Sequence, residues 1–236
     1  MKKLFAKVIF FVVLSLLWGN SLCVAQQNIL LNNYFSQLEL SGNLRVNLIP
    51  SQSDSTRIEA RVYGTSAQRL QWKEKGSTLK VELPSNVVER DCYADLDIYY
   101  TELTRLKCDG VSVEARDTIF TESLLVDAQS SINKISLNVV ATELKIRATG
   151  NSVISVAGRA DWLIVNSWLG ARVDCLRGTF GDCVVKAQQS SEVVVSVRDR
   201  LDAHASGKAS IFYHGDPNVL TKESIGGAVV PVILPE

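Results

Sequence analysis

The sequence lacks the features that mark several functional classes. It has no basic excess, since 25 lysines and arginines balance 25 aspartates and glutamates, and this argues against a dedicated nucleic-acid-binding protein. It has only two histidines and no Cys-x-x-Cys pair, so the spacing of a metal site is missing. It has no low-complexity tract and hardly any helical periodicity. What remains, 46% hydrophobic and 21% charged, is the composition of a folded protein.

The first 25 residues have the pattern of a signal peptide. Three lysines lead into the apolar run at residues 5–18, which is too short for a comfortable membrane span, and residues 23–25 offer a cleavage site. Lipidation at Cys23, the alternative, is disfavoured because a leucine precedes that cysteine. We therefore predict that residues 1–25 are removed, that no membrane span follows, and that residues 26–236 form one domain in the periplasm or at the cell surface.

Four cysteines remain in the mature chain, an even number that permits two disulfides in an exported protein. The spacings do not select among the three possible pairings. Buried, unpaired thiols are the alternative interpretation. The four residues are Cys92, Cys108, Cys175 and Cys183.

Period-two alternation of apolar and polar residues, as in residues 44–48 and 79–83, predicts short strands with one buried face. In the second half, six such segments recur with a period of 18 to 20 residues, each followed by a second short strand. They are residues 104–108, 124–128, 144–148, 163–167, 183–187 and 201–205. A fixed period of this size predicts a solenoid, in which each turn buries its apolar face only against its neighbours.

Superposing the repeats aligns their faces. One inward ladder is apolar, the next is uniformly small, and the outward ladder between them contains alternating charges at its start. The apolar ladder is Leu106, Val126, Ile146, Val165, Val185 and Ala203; the small one is Cys108, Ala128, Ala148, Ser167, Ala187 and Ala205; the outward one is Lys107, Asp127, Arg147, Asn166, Lys186 and His204. Alternating charges avoid like charges side by side, which supports this register.

These patterns predict an all-β protein, a right-handed parallel β-helix with coils of about 20 residues. Residues 26–100 lack the period, so we expect irregular strands there that cap the amino-terminal end. Residues 101–214 form the regular coils. Residues 215–236 carry three prolines, which would blunt further strand addition at a carboxy-terminal cap.

The chain also resembles a family described as "Putative auto-transporter adhesin, head GIN domain", which is common in Bacteroidetes-type bacteria. The segments that carry the resemblance are residues 35–42, 46–48, 76–81, 103–111 and 205–217. The sequence departs from the family pattern at two corners, where Ser130 and Gln189 stand in place of a glycine. The resemblance implies a β-helix-like fold and a location outside the cytoplasm, and no catalytic residue comes with it.

Two pairs of residues are candidates for ligand binding. Trp162 and Trp168 point outward by alternation, and exposed tryptophans on a flat sheet can stack on sugar rings. Packing under a loop or against another subunit is the alternative. Asp95 and Asp97 share one face of a strand, where they could share a cation or a proton, or simply form a polar strand surface.

The resulting hypothesis is an exported, non-enzymatic β-helix module, an adhesin or cell-envelope protein that binds a glycan or a surface protein. No cofactor or metal is expected, because neither the cysteines nor His204 and His214 belong to a recognisable ligand or nucleophile set. One alternative is a carbohydrate-active enzyme that uses Asp95 and Asp97. The other is a periplasmic scaffold that self-associates into oligomers.

Overall fold

The computed structural model describes residues 25–51, 55–84, 92–129 and 133–232, and its described part contains strands, turns and one short 3-10 turn, Ala67–Arg69. No helix among these residues is long and apolar enough to cross a membrane. The predicted signal peptide lies outside the described residues except for Ala25. The strands are β1 Ala25–Leu30, β2 Gln37–Gly42, β3 Leu44–Pro50, β4 Arg57–Tyr63, β5 Gln71–Lys75, β6 Thr78–Leu83, β7 Tyr93–Tyr100, β8 Arg105–Asp109, β9 Ser112–Gln129, β10 Lys134–Thr149, β11 Val153–Trp168, β12 Arg172–Gln188, β13 Glu192–Ser206, β14 Ser210–His214, β15 Val219–Ile225 and β16 Ala228–Pro231.

The predicted parallel β-helix is confirmed. Each of the strands β9 to β13 follows one coil and bends near its middle, so it has a first leg and a second leg; in β10 the legs meet at Thr142. Successive coils pair in parallel with the register that the repeat predicts. Ile146, for example, pairs with Val126 on one side and with Val165 on the other.

The core fills the space between the legs. Alternation along β10 turns the side chains of Leu144, Ile146 and Ala148 into the core, where they are fully buried. The equivalent residues of the other coils stack above and below them. The turn between coils adds a buried polar position. There Asn133 accepts a hydrogen bond from the backbone N–H of Val111 and donates to the hydroxyl of Ser152, so these polar groups are satisfied inside the stack.

The amino-terminal strands combine coil positions with antiparallel pairs. β2 pairs with β8 and β3 pairs with β9, so both lie in the stack although the sequence predicts an irregular region there. β7 continues the first-leg sheet beyond β3, and β4 and β1 follow it antiparallel. β6 and β5 extend the second-leg sheet beyond β2. The period was invisible in the sequence because coils that are neighbours in this part of the stack come from distant segments, as where Gln37 of β2 pairs with Arg105 of β8.

The carboxy-terminal end also differs from the prediction. β15 pairs with the second leg of β13 and β16 pairs with β14, so part of the expected cap forms one more coil. The inward positions of β15 are Leu220, Lys222 and Ser224, and this mixture hid the repeat. The Lys222 ammonium lies 4.6 Å from the centre of the Tyr213 ring, where it closes the end of the core with a charge.

Candidate functional site

The outer surface of β11 carries both predicted tryptophans. Leu163, Val165 and Ser167 are buried, so the intervening side chains face solvent. Trp162 is 50% exposed, and Trp168 is half-buried at the other end of the same leg. Trp168 lies six positions after Trp162, which corresponds to roughly 20 Å along an extended strand. The predicted outward direction is therefore seen, and the two rings flank one flat strip.

Polar side chains of the adjacent coils border this strip. Arg147 and Lys186 lie on either side of Asn166. Both are exposed, and neither forms an ion pair with another of the described residues. Trp162 lies between Glu143 and Asp182. Such a surface offers aromatic area, an amide and charged hydrogen-bond donors in one plane, which suits a ligand with apolar faces and polar edges.

One carboxylate beside Trp162 is already paired. The Lys145 ammonium donates to Glu143 over 2.7 Å, and Ser123 donates to the same oxygen over 3.2 Å. The hydrogen bond from Lys145 holds the pKa of Glu143 below its usual range, despite some loss of hydration. Glu143 is therefore a fixed anion and not a proton donor at neutral pH.

Asp95 and Asp97 do share the outer face of β7, as predicted, but cationic and amide groups surround them. Asp95 lies between Arg45 and Arg61 in the sheet. Asp97 accepts a hydrogen bond from the Asn47 amide at 2.7 Å, and its other oxygen lies 3.3 Å from Arg61. These contacts pair the Asp97 carboxylate with an amide and a guanidinium, so the arrangement favours an ion-paired sheet surface over an acid–base pair.

A cleft that the sequence did not reveal opens between β3 and the first leg of β9. It has a volume of about 860 Å³, the size of a small-molecule pocket. Phe120 lines it and is 74% exposed, together with Tyr99 and Arg57. Alternation in the sequence could have predicted that Phe120 faces outward, because Ile119 before it is buried. The cleft itself could not be predicted in this way, because it depends on the path of β3.

Residues 34–217 match the family described as "Putative auto-transporter adhesin, head GIN domain". This chain belongs to that family. The match covers most of the chain, and it confirms the resemblance carried by the segments of the sequence quoted above. A search of curated proteins finds no match.

Solved structures share the fold of this head GIN domain. A "putative adhesin" from Bacteroides fragilis has a TM-score of 0.76 at 13% identity, covering 89% of this chain and 97% of that one. A "putative adhesin" from Parabacteroides distasonis has a TM-score of 0.64 at 16% identity, covering 89% and 97%. A "putative lipid binding protein" from the same species has a TM-score of 0.64 at 17% identity, covering 91% and 98%.

The cysteines of this head GIN domain line its interior. Cys108, Cys175 and Cys183 are buried free thiols, and Cys92 is buried as well. Loss of hydration raises the pKa of the first three, that of Cys183 to about 12. The structure therefore favours the interpretation of the cysteines as small apolar core residues over the two disulfides that the even count permits.

The two histidines contact other groups near the carboxy-terminal end of the stack. His204 lies 2.8 Å from Glu223 at Nδ1 and 2.9 Å from Asp202 at Nε2, so it links β13 to the edge strand β15. His214 Nδ1 lies 3.2 Å from the carbonyl oxygen of Val232. Within the described residues, no group of three acidic, histidine or cysteine side chains is placed to hold a metal ion.

Proposed function

We propose that this head GIN domain is an exported, non-enzymatic adhesion module that binds a glycan through the strip bordered by Trp162 and Trp168. The observation that carries the proposal is the exposure of Trp162 on a flat, regular sheet, with Trp168 on the same strand. Exposing a large aromatic side chain to water is unfavourable in the free protein, and such exposed residues are typical of binding surfaces. The signal-peptide pattern and the adhesin family support a location outside the cytoplasm.

The test is a glycan array probed with the purified protein and with Trp162→Ala and Trp168→Ala. Both variants should lose at least about tenfold in affinity, the equivalent of about 1.4 kcal/mol, because stacking area is removed without disturbing the core. Trp72→Ala is the matched control: Trp72 is 42% exposed on β5, six strands away in the sheet, roughly 29 Å. Wild-type binding with unchanged affinity in both variants, or the absence of any bound glycan, would contradict the proposal.

The two alternatives have less support. The carbohydrate-active enzyme requires Asp97 to exchange a proton, yet Asn47 and Arg61 hold its two oxygens. The self-associating scaffold requires an open end, yet the last coil carries Lys222 at an inward position and Pro231 at the end of β16. Inward charges and prolines on edge strands are the devices by which proteins prevent end-to-end pairing.

A further inference from the structure

The cleft between β3 and β9 arises from a defect in the stack. The two strands are paired from Arg45 to Asn47 on β3, and then they separate. On β9, residues 115–117 lie opposite a single residue of β10, Leu137, so β9 bulges by two residues at this point. Bulges of this kind bend a strand and re-aim its side chains, and here the bend opens a cleft beside the end of β3.

One side of the cleft is a row of three side chains from neighbouring strands. Ile49, Tyr99 and Arg57 are directly opposite one another in β3, β7 and β4. The guanidinium of Arg57 stacks 3.4 Å above the Tyr99 ring, and its Nε donates to Glu59 over 2.9 Å. These contacts fix the orientation of a group that has only hydrogen-bond donors.

The β9 side supplies an aromatic face and an acceptor. Phe120, 74% exposed, is the most exposed large aromatic residue among the described residues, and its ring lines the cleft. Asp117, on the bulge, presents a carboxylate that has only acceptors. Thr118 accepts a hydrogen bond from Asn138 over 2.8 Å, which leaves its hydroxyl proton available to the cleft.

This combination selects a class of ligand. A hydroxyl group both donates and accepts, so adjacent hydroxyls can serve Asp117 and Arg57 together, whereas a carboxylate or an ammonium can serve only one of them. Arg57 and Asp117 are the charged residues that line the cleft, and Glu59 is paired with Arg57 from outside it, so the cleft offers no excess positive charge to an anionic ligand. An apolar ring face would cover Phe120. We infer that the cleft is a second binding site, which takes a neutral sugar residue.

The site is independent of the proposed strip around Trp162 and Trp168. Phe120 belongs to the first leg of β9, whereas both tryptophans belong to the second leg of β11, two coils further along. Either site can therefore bind when the other is destroyed. Loss of binding at the cleft can therefore be distinguished from loss of binding at the strip.

The test is saturation-transfer NMR and calorimetry of the purified protein with glucose, galactose, mannose, fucose, N-acetylglucosamine and glucuronic acid. Phe120→Ala and Asp117→Asn should weaken binding of at least one neutral sugar tenfold or more, because they remove the stacking face and the acceptor. Val140→Ala is the control, since Val140 is the residue of the next coil that pairs with Phe120. This control and Trp162→Ala should bind within twofold of the wild type. All variants should keep the wild-type melting temperature, since the changed side chains are at the surface.

Three results would overturn the inference. The first is that none of the neutral sugars binds. The second is that Phe120→Ala and Asp117→Asn bind as well as the wild type, whatever Trp162→Ala does to glycan binding. The third is that glucuronic acid binds tenfold more tightly than glucose, because a site selective for the anion would not have the balanced polarity described above.

Discussion

The regular coils and the amino-terminal strands are built in different ways. Each strand from β9 to β13 pairs with the strand that follows it in sequence, in parallel and with an almost constant register. The amino-terminal part instead joins distant segments, such as Gln37 with Arg105, and mixes parallel with antiparallel pairs. The coils are therefore a one-dimensional stack of similar units, whereas the amino-terminal part depends on long-range contacts.

The two regions also differ in how well their polar groups are satisfied. Seven buried side-chain atoms of the described residues have no hydrogen-bond partner, and six of them precede β9. The seventh, Asp202 Oδ1, is still within 2.9 Å of His204. Unsatisfied polar groups are common where a protein binds something. None of the seven atoms belongs to a residue that lines the cleft, so the difference reflects how the two regions are assembled and not the position of the cleft.

The largest expected effect tests the stack itself. Leu144 and Leu220 occupy the same inward ladder, but Leu144 is fully buried between two coils while Leu220 is 42% exposed in the last one. Leu144→Ala should lower the free energy of unfolding by about 3 to 4 kcal/mol, because it leaves a cavity. Leu220→Ala should cost less than about 1 kcal/mol, since little buried area is lost. Urea denaturation measures both, and equal losses would contradict a core in which each coil is buried by its neighbours.

A second comparison uses glycines with positive φ in the two regions. Gly158 has φ +108°, and a Cβ at this position would collide with the carbonyl oxygen of Val139 in the preceding coil. Gly158→Ala should therefore cost about 2 to 3 kcal/mol.

Gly76 provides the control for that change. It lies in the turn between β5 and β6 with φ +59°, and a Cβ there would meet nothing within 4 Å. Gly76→Ala should cost only about 1 kcal/mol, the conformational penalty of the left-handed region. Thermal denaturation of the two variants would test the difference, and a larger loss at Gly76 would mean that the coils tolerate backbone shifts better than the hairpin.

The sequence predicts the coils well because their two signals are local. Alternation identifies the buried face of each leg, and the period of about 20 residues fixes which residues are neighbours, so Arg147 was correctly placed between Asp127 and Asn166. The outward direction of Trp162 follows from the burial of Leu163 by the same argument.

Other features were not predictable for physical reasons. β15 completes a coil at the open end of the core, where an inward Lys222 is tolerated, so its sequence does not look like a repeat. The cleft depends on a two-residue bulge in β9 and on the departure of β3, a strand about 70 residues earlier. Neither the ion pair of Asp97 with Arg61 nor the stacking of Arg57 on Tyr99 follows from spacing, because β4 and β7 meet only in the folded chain.

The smallest expected effect has the opposite sign and concerns the amino-terminal region. The Tyr100 hydroxyl is buried and is one of the atoms without a hydrogen-bond partner among the described residues. Tyr100→Phe removes this polar group and keeps the ring, so it should raise the free energy of unfolding by up to about 1 kcal/mol at pH 7. Tyr34→Phe, at an exposed position, should change it by less than about 0.5 kcal/mol.

The same variant should change the response to alkaline pH. Burial, with a further contribution from the charge of Asp117, raises the pKa of Tyr100 from 10.0 to about 12. Between these pH values the unfolded chain loses the phenolic proton while the folded chain keeps it, so wild-type stability falls as the pH rises. The advantage of Tyr100→Phe should therefore grow by about 1.4 kcal/mol per pH unit between pH 10 and 12. Parallel stability curves for the two proteins over that range would show instead that the Tyr100 hydroxyl is accessible to solvent, and that the amino-terminal strands are packed less tightly than the coils.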